Sequence, residues 1–368
     1  MTKKIAILSG KGGCGKTSLS LSIANLLSDC KIKTLIIDCD LSTNGATYFF
    51  ENLLDTNKAY CSVQNLIKDA FAEEKNNEVI SINQYFDFIP SVSKIDGDLI
   101  EYVDTLFFSS EIFDHLINNY DVVIFDCQAG YSEILKDILG GTNETLFVME
   151  ADAISSASIR SLYLKIGNLI NNRKSYQIFN KVTNEEYEIY NKISGGTFFT
   201  NIESVLFDWT IRKAFALSQI PSLDKASVRF NEQLLNICRV LFPEKEYIDK
   251  LNTFSKKIIS KKIQDEKSQL TEKINTLYDF NKKKKNKILT SIALFYTGIA
   301  VLLSSTFILD KPKSLFGSNI SLLIMIFTGA CCISLLFNII RNLSKSKNDV
   351  ISYKKRLSEL EKEEKNYE

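Results

Sequence analysis

Eight residues near the amino terminus, Gly10 to Thr17, read GKGGCGKT and contain four glycines, two lysines and a final threonine. Glycines let a backbone curl so that several N–H groups point at one anion. A lysine at the end of such a loop can reach the β- and γ-phosphates of a nucleotide, and the next hydroxyl can bind Mg²⁺. The pattern therefore predicts a phosphate-binding loop with Mg²⁺. The predicted phosphate-binding residues are Gly12, Gly13, Cys14, Gly15, Lys16, Thr17 and Ser18.

The segments on either side of this loop support the prediction. Ile5-Ala6-Ile7-Leu8 is an apolar run of strand length, and residues 18–27 form an amphipathic segment. A strand, a glycine loop and a helix are the context that the motif requires. The amino-terminal end of the helix adds its positive dipole to the same place.

Two further segments end in acidic residues. Asp38 and Asp40 lie at the end of an apolar run and are separated by one residue, so they share a face of a strand. Asp126 ends the run Val122-Val123-Ile124-Phe125, which is typical of a strand whose carboxylate holds Mg²⁺ through water. Because the carboxyl ends of parallel strands meet at one edge, we expect these carboxylates beside the glycine loop.

The order KGGCGKT, with Lys11 directly after the first glycine, resembles the deviant Walker A family of ATPases. That family includes the MinD and ParA ATPases, their plasmid-partition relatives and the nitrogenase iron protein. The resemblance covers about residues 3–241. It implies that Lys11 crosses a dimer interface to the partner's nucleotide, so that ATP holds two copies face to face.

The resemblance also implies roles for other residues. The stretch around Asp38 and Asp40 is similar to the first switch segment of the family, which implies that Asp38 lies near Mg²⁺ and that Asp40 positions or activates water. The stretch Asp126-Cys127-Gln128-Ala129-Gly130 is similar to the second switch, which implies that the Gly130 N–H approaches the γ-phosphate. Asn180 lies at the position where the family has an asparagine that hydrogen-bonds adenine, which implies the same role here. The catalytic residues are thus predicted as Lys11, Lys16 and Asp40, and the metal-binding residues as Thr17, Asp38 and Asp126.

Strand and helix patterns alternate over residues 1–243, which predicts an α/β P-loop domain with a mostly parallel sheet flanked by helices. Residues 244–287 are polar and carry apolar positions at helical spacing, which predicts a helical linker and leaves a coiled coil open. The predicted strands are Lys4–Leu8, Thr34–Asp38, Phe86–Pro90, Val122–Asp126, Thr145–Met149 and Tyr176–Asn180.

Two runs without charged residues, 288–309 and 319–340, follow the linker. Each is about 22 residues long, enough for a helix to cross a bilayer. They predict a two-helix transmembrane hairpin over residues 288–340 and hence contact with the lipid bilayer. Lysines and arginines flank both outer ends, which predicts a multi-pass inner-membrane protein with both termini in the cytoplasm. Residues 341–368 are predicted as a cytoplasmic helix that pairs antiparallel with the linker to form a stalk.

The sequence therefore predicts a membrane-anchored, ATP-dependent switch that forms a homodimer and recruits or positions an unknown protein partner. Two alternatives stay open, a bacterial tyrosine autokinase and a partition-type ATPase that positions DNA. Lys and Arg total 45 against 44 Asp and Glu, so overall charge gives no reason to expect nucleic acid as a partner. The cysteines lack the cluster-ligand contexts of an iron protein.

Overall fold

The computed structural model describes residues 2–54, 60–68, 79–92, 106–186, 199–221, 226–308, 341 and 344–365. The chain divides into two compact units, Met1–Ile258 and Ile259–Glu368.

The first unit is built on a sheet of eight strands in the order β3-β4-β2-β5-β1-β6-β7-β8. Every neighbouring pair is parallel except β3 and β4, which confirms the predicted mostly parallel sheet. All six predicted strands are present, whereas β3 and β8 were not predicted. The strands are β1 Lys3–Leu8, β2 Thr34–Cys39, β3 Ile80–Asn83, β4 Phe86–Ile89, β5 Val122–Cys127, β6 Glu144–Met149, β7 Lys174–Val182 and β8 Thr200–Leu206.

Helices cover both faces of this sheet. Ile5 and Ile7 of β1 join one apolar core, whereas Ala6 and Leu8 join the core on the opposite face, as the alternation of a strand requires. The described helices are α1 Lys16–Asp29, α2 Gly45–Phe49, α3 Val63–Lys68, α4 Glu111–Ile117, α5 Ile134–Gly141, α6 Ala153–Ile170, α7 Trp209–Ala216, α8 Val228–Leu241, α9 Lys245–Ile308 and α10 over residues 344–365.

The order of the strands brings the predicted site together. β1 lies between β5 and β6, and β2 pairs with β5 on its other side. In this register Asp38 on β2 is opposite Asp126 on β5, and Ile7 on β1 is opposite Asp126. The glycine loop that follows β1 therefore starts beside both carboxylates.

In the second unit, α10 packs against residues 263–281 of α9. Ile263, Leu270 and Leu360 form its buried core. The Arg356 guanidinium lies 2.9 Å from a Glu266 carboxylate oxygen, and Lys267 pairs with Glu364. Asn281 donates a hydrogen bond of 2.9 Å to Ser346. Because positions later in α9 meet positions earlier in α10, the two helices run antiparallel within one chain.

The described residues do not support the predicted membrane hairpin. Within the described part of the chain, no helix combines the length and the apolar character needed to cross a bilayer. The predicted multi-pass placement in the inner membrane, with both termini in the cytoplasm, is wrong on this finding. The second predicted span, 319–340, lies outside the described residues.

Candidate functional site

The glycine loop connects β1 to α1 through two residues in the left-handed region. Gly13 has φ 81° and Gly15, the amino-terminal cap of α1, has φ 87°. Residues with a Cβ rarely adopt these angles, so glycine is required at both positions. The Lys16 side chain is buried, and its ammonium group donates a hydrogen bond of 2.8 Å to Ser9 Oγ.

A cavity of about 840 Å³ opens over the loop, within the size range of nucleotide and small-molecule sites. Its floor is formed by the glycine loop and its walls include residues at or just after the ends of β2, β5, β7 and β8. The lining residues include Gly12, Gly13, Gly15, Lys16, Thr17, Ser18, Asp40, Ser42, Thr43, Phe49, Gln128, Asn180, Lys181, Asp208, Ile211, Arg212, Phe215 and Phe230.

Asp126 is almost completely buried at the base of this site. One carboxylate oxygen accepts a hydrogen bond of 3.1 Å from Ser20, whereas the other, Oδ2, accepts none from the described residues. Burial raises the pKa of Asp126, and Thr17 and Lys16 oppose that rise by stabilising the carboxylate. A buried oxygen without a partner is costly, so this carboxylate fits a site that a cation or its bound water completes.

Asp38 is also fully buried, but both of its oxygens are occupied. One accepts hydrogen bonds from the Thr47 N–H, at 2.8 Å, and the Thr47 hydroxyl, at 2.7 Å. The other accepts a bond of 3.1 Å from the Asp40 N–H. Burial, followed by the neighbouring Asp126 carboxylate, raises the pKa of Asp38 to about 7. In this state Asp38 ties α2 to the end of β2.

Asp40 lies in the cavity wall and organises the turn that follows β2. One carboxylate oxygen accepts hydrogen bonds from the Ser42 hydroxyl, at 2.9 Å, and the Thr43 N–H, also at 2.9 Å. The other accepts a bond of 2.6 Å from the Thr43 hydroxyl. These bonds hold the Asp40 carboxylate in one orientation at the wall.

Gly130 closes the segment after β5 with φ 77°. Its N–H, which the resemblance assigns to the γ-phosphate, donates a hydrogen bond of 2.8 Å to the carbonyl of Ser9. Ser9 thus contacts both the Lys16 ammonium group and the segment after β5. Its role was not predicted, although its position directly before the loop was a usable signal.

Lys11 forms ion pairs within its own chain. Its ammonium group lies 2.9 Å from an Asp152 carboxylate oxygen and 3.0 Å from one of Glu150. These contacts raise the pKa of Lys11 and lower that of Asp152 to about 2, with the hydrogen bond between the two side chains as the main cause. Asp152 also caps α6 by accepting a bond of 2.7 Å from the Ser155 N–H.

Asn180 and Lys181, at the end of β7, both contact the glycine loop. The Asn180 amide donates a hydrogen bond of 2.8 Å to the carbonyl of Cys14, and Lys181 donates one to the carbonyl of Gly13. Lys181 also pairs with Glu150 at 3.0 Å. Asn180 thus lies in the cavity wall, as an adenine-binding residue would, but its amide nitrogen is bonded to the loop.

Comparisons with known proteins agree with this arrangement. A sequence model of the family described as AAA domain matches residues 2–178. The sporulation initiation inhibitor protein Soj of Bacillus subtilis is 30% identical over 162 residues, which are 41% of this chain and 60% of Soj. The chain spans about half the length of the first curated relatives that it matches.

Two solved structures share the fold. The MinC:MinD cell division protein complex of Aquifex aeolicus matches with a TM-score of 0.54 and 16% identity, covering 66% of this chain and 97% of that one. MinD of Pyrococcus horikoshii, complexed with Mg-ADP, matches with a TM-score of 0.51 and 18% identity, covering 66% of this chain and 98% of that one. The first unit of this chain is therefore similar to MinD- and Soj-type proteins in sequence and shares its fold with MinD.

Proposed function

We propose that this chain binds ATP with Mg²⁺ in the cavity above the glycine loop and hydrolyses its terminal phosphoanhydride bond. The observation that supports this most strongly is the buried Asp126 oxygen without a hydrogen-bond partner among the described residues, close to Lys16 and Thr17. Thr17 would hold Mg²⁺ together with the nucleotide, and a water on that ion would give the Asp126 oxygen its missing donor.

In this proposal each part of the site has one task. The N–H groups of residues 12–18 and the Lys16 ammonium group hold the phosphates, and the apolar side chains of Phe49, Ile211 and Phe215 pack against the base. Thr17 would supply a protein oxygen to Mg²⁺, and the ion would offset the negative charge of the phosphates. This fits the described residues, which bring no three acidic, histidine or cysteine side chains together as a metal cluster.

Asp40 is the candidate that positions the attacking water. It lies in the cavity wall, and its hydrogen bonds to Ser42 and Thr43 fix the carboxylate before substrate binds. Asp38 supports it, because the Asp38 carboxylate accepts the Asp40 N–H and fixes the start of the turn. Preorganised groups of this kind need no rearrangement when charge develops in the transition state.

We further propose that ATP holds two copies together and that Lys11 reaches the partner's nucleotide. Lys11 then has to leave Glu150 and Asp152 of its own chain. Both ion pairs are partly exposed, with Lys11 itself 30% exposed, so the cost of separating them is small and falls further in salt. The ATP-bound dimer would present a surface that recruits a protein partner.

Phosphate release and sedimentation velocity on the full chain test this proposal. The wild type should release phosphate from Mg·ATP and form dimers only with ATP. Asp40→Asn should keep the ATP-dependent dimer and lose hydrolysis, whereas Lys16→Met should lose both. Lys136→Met, an exposed lysine on α5, is the matched control and should behave as the wild type. Equal hydrolysis in the wild type and Lys16→Met would refute the proposal.

A further inference from the structure

Gln128 lies directly after β5 and lines the cavity beside the glycine loop. Its side chain is partly buried, and its amide group forms no hydrogen bond with the residues that the structure describes. Asn180, the other side-chain amide in the cavity wall, is by contrast bonded to the carbonyl of Cys14. Gln128 therefore keeps its donors and its acceptor available for a ligand in the cavity.

The pairing of β2 with β5 places Gln128 beside Asp40. Cys39 lies opposite Cys127 at the last paired position, so the next residues along the two chains are Asp40 and Gln128. Neighbouring strands lie about 4.8 Å apart. Alternate residues of a strand share a face, and each of these two residues follows a buried carboxylate by two positions. Both side chains line the same cavity, which agrees with this placement.

The hydrogen bonds of Asp40 leave room for one more partner. One carboxylate oxygen already accepts from the N–H and the hydroxyl of Ser42 and from the N–H of Thr43. The other accepts the Thr43 hydroxyl, at 2.6 Å. A carboxylate oxygen has two lone pairs, so this second oxygen can also accept one hydrogen of a water molecule. The other hydrogen of that water needs a second acceptor before the orientation of the water is fixed.

We propose that Gln128 is a further catalytic residue, which holds the attacking water together with Asp40. The amide oxygen accepts the second hydrogen of the water, and the amide N–H donates to an oxygen of the γ-phosphate. A side-chain amide can do both at once, because it carries an acceptor and two donors. This inference rests on the proposed function, because it adds a residue to the same nucleotide site.

The step that these two residues assist is hydrolysis of the terminal phosphoanhydride bond. The water oxygen forms a bond to the γ-phosphorus while the bond from that phosphorus to the β–γ bridging oxygen breaks. ADP leaves with the bridging oxygen and its electron pair. The proton that the water loses passes to the Asp40 carboxylate and then to solvent, and the Gln128 amide stays neutral. Gln128 orients the water in the transition state, so its loss should lower kcat far more than ATP affinity.

Phosphate release and calorimetric titration on the full chain separate this role from a structural one. Gln128→Met keeps the length of the side chain and removes the amide. It should lower kcat roughly a hundredfold, as for other groups that stabilise a transition state, with less than about fivefold loss of affinity for Mg·ATP. Affinity for ADP with aluminium fluoride, which mimics the phosphoryl group in transfer, should fall about as much as kcat, whereas ADP alone should bind unchanged.

Gln219→Met is the matched control, because Gln219 is an exposed glutamine outside the cavity lining, and it should behave as the wild type. Two results would overturn the role of Gln128. One is an unchanged kcat in Gln128→Met, and the other is a loss of ATP affinity as large as the loss in kcat. If Gln128→Met does not fold, Gln128→Ala gives the same comparisons. A wild type that binds Mg·ATP but releases no phosphate would instead refute the proposed hydrolysis, so the two failures are distinguishable.

Discussion

Three glycines of the phosphate-binding loop offer a graded test of its geometry in the nucleotide-free protein. A Cβ at Gly12 would meet nothing within 4 Å, and its φ lies outside the left-handed region. A Cβ at Gly13 would also meet nothing, but φ is 81°. A Cβ at Gly15 combines a φ of 87° with a contact of 2.4 Å to Asn180 Nδ2. Alanine at Gly12 therefore adds neither effect, alanine at Gly13 adds backbone strain, and alanine at Gly15 adds backbone strain and a steric clash.

The expected loss of unfolding free energy follows from these contacts. Gly12→Ala should lose nothing measurable. Gly13→Ala should lose about 1–2 kcal/mol, the cost of placing a residue with a Cβ in the left-handed region. Gly15→Ala should lose about 2–5 kcal/mol, because the new methyl group also displaces the Asn180 amide from the Cys14 carbonyl, which adds about 1–3 kcal/mol.

Urea unfolding followed by the fluorescence of Trp209 is a suitable assay, because Trp209 is the only tryptophan and lies in the first unit. A double-mutant cycle with Asn180→Ala isolates the cost of the contact between the added Cβ at Gly15 and the Asn180 amide. With Asn180→Ala already present, Gly15→Ala should cost the strain and only a small shift of Ser18 Oγ, 3.2 Å from the added Cβ, so its cost should fall close to that of Gly13→Ala. Equal costs at Gly13 and Gly15 in the wild-type background, or a Gly15→Ala cost that Asn180→Ala leaves unchanged, would refute the reasoning.

Three other predictions follow from the contacts described above. Asp152→Asn keeps the cap of α6, because asparagine caps a helix as well as aspartate does, but it removes the ion pair with Lys11. The ATP-dependent dimer should therefore tighten roughly two- to fivefold at low salt, and less at high salt, when measured by sedimentation. Equal tightening at both salt concentrations would contradict this prediction. Burial raises the pKa of Asp38 to about 7, so folding takes up a proton between about pH 4 and pH 7, and nucleotide-free protein should lose stability as pH rises across that range and level off above it. Thermal unfolding across that range checks this, and Asp38→Asn should flatten the slope. Leu360→Ala removes a core side chain of the second unit and should destabilise α10 by about 2–5 kcal/mol, seen as faster hydrogen exchange over residues 344–365 with no change in the first unit.

The parts of the site that were predictable from sequence are those set by local chain geometry. The glycine loop, the strand before it and the acids at the ends of β2 and β5 each occupy a few consecutive residues. Because β2 and β5 are parallel and each ends near its acidic residue, Asp38 and Asp126 lie opposite each other. The hydrogen bond from Lys16 to Ser9 is also local, because Ser9 lies directly before the loop.

The contacts that were not predicted join distant segments. Lys11 pairs with Glu150 and Asp152, about 140 residues away in sequence, and nothing local marks those two acids as its partners. The Asn180 contact with Cys14 depends on an irregular end of β7 and a left-handed Lys181, neither of which strand periodicity reveals. The membrane prediction came from the length and uncharged composition of two runs, and the described residues contain no helix that is long and apolar enough to cross a bilayer.

Equilibrium titration of the wild type and Lys16→Met with Mg·ATP tests the central claim most directly. The buried Lys16, the unpartnered Asp126 oxygen and the glycine loop predict one saturable site per chain. They also predict that Lys16→Met loses roughly tenfold to a hundredfold in affinity, as expected for a lost charged hydrogen bond. Equal affinity in the two proteins, or no binding by the wild type, would contradict the account.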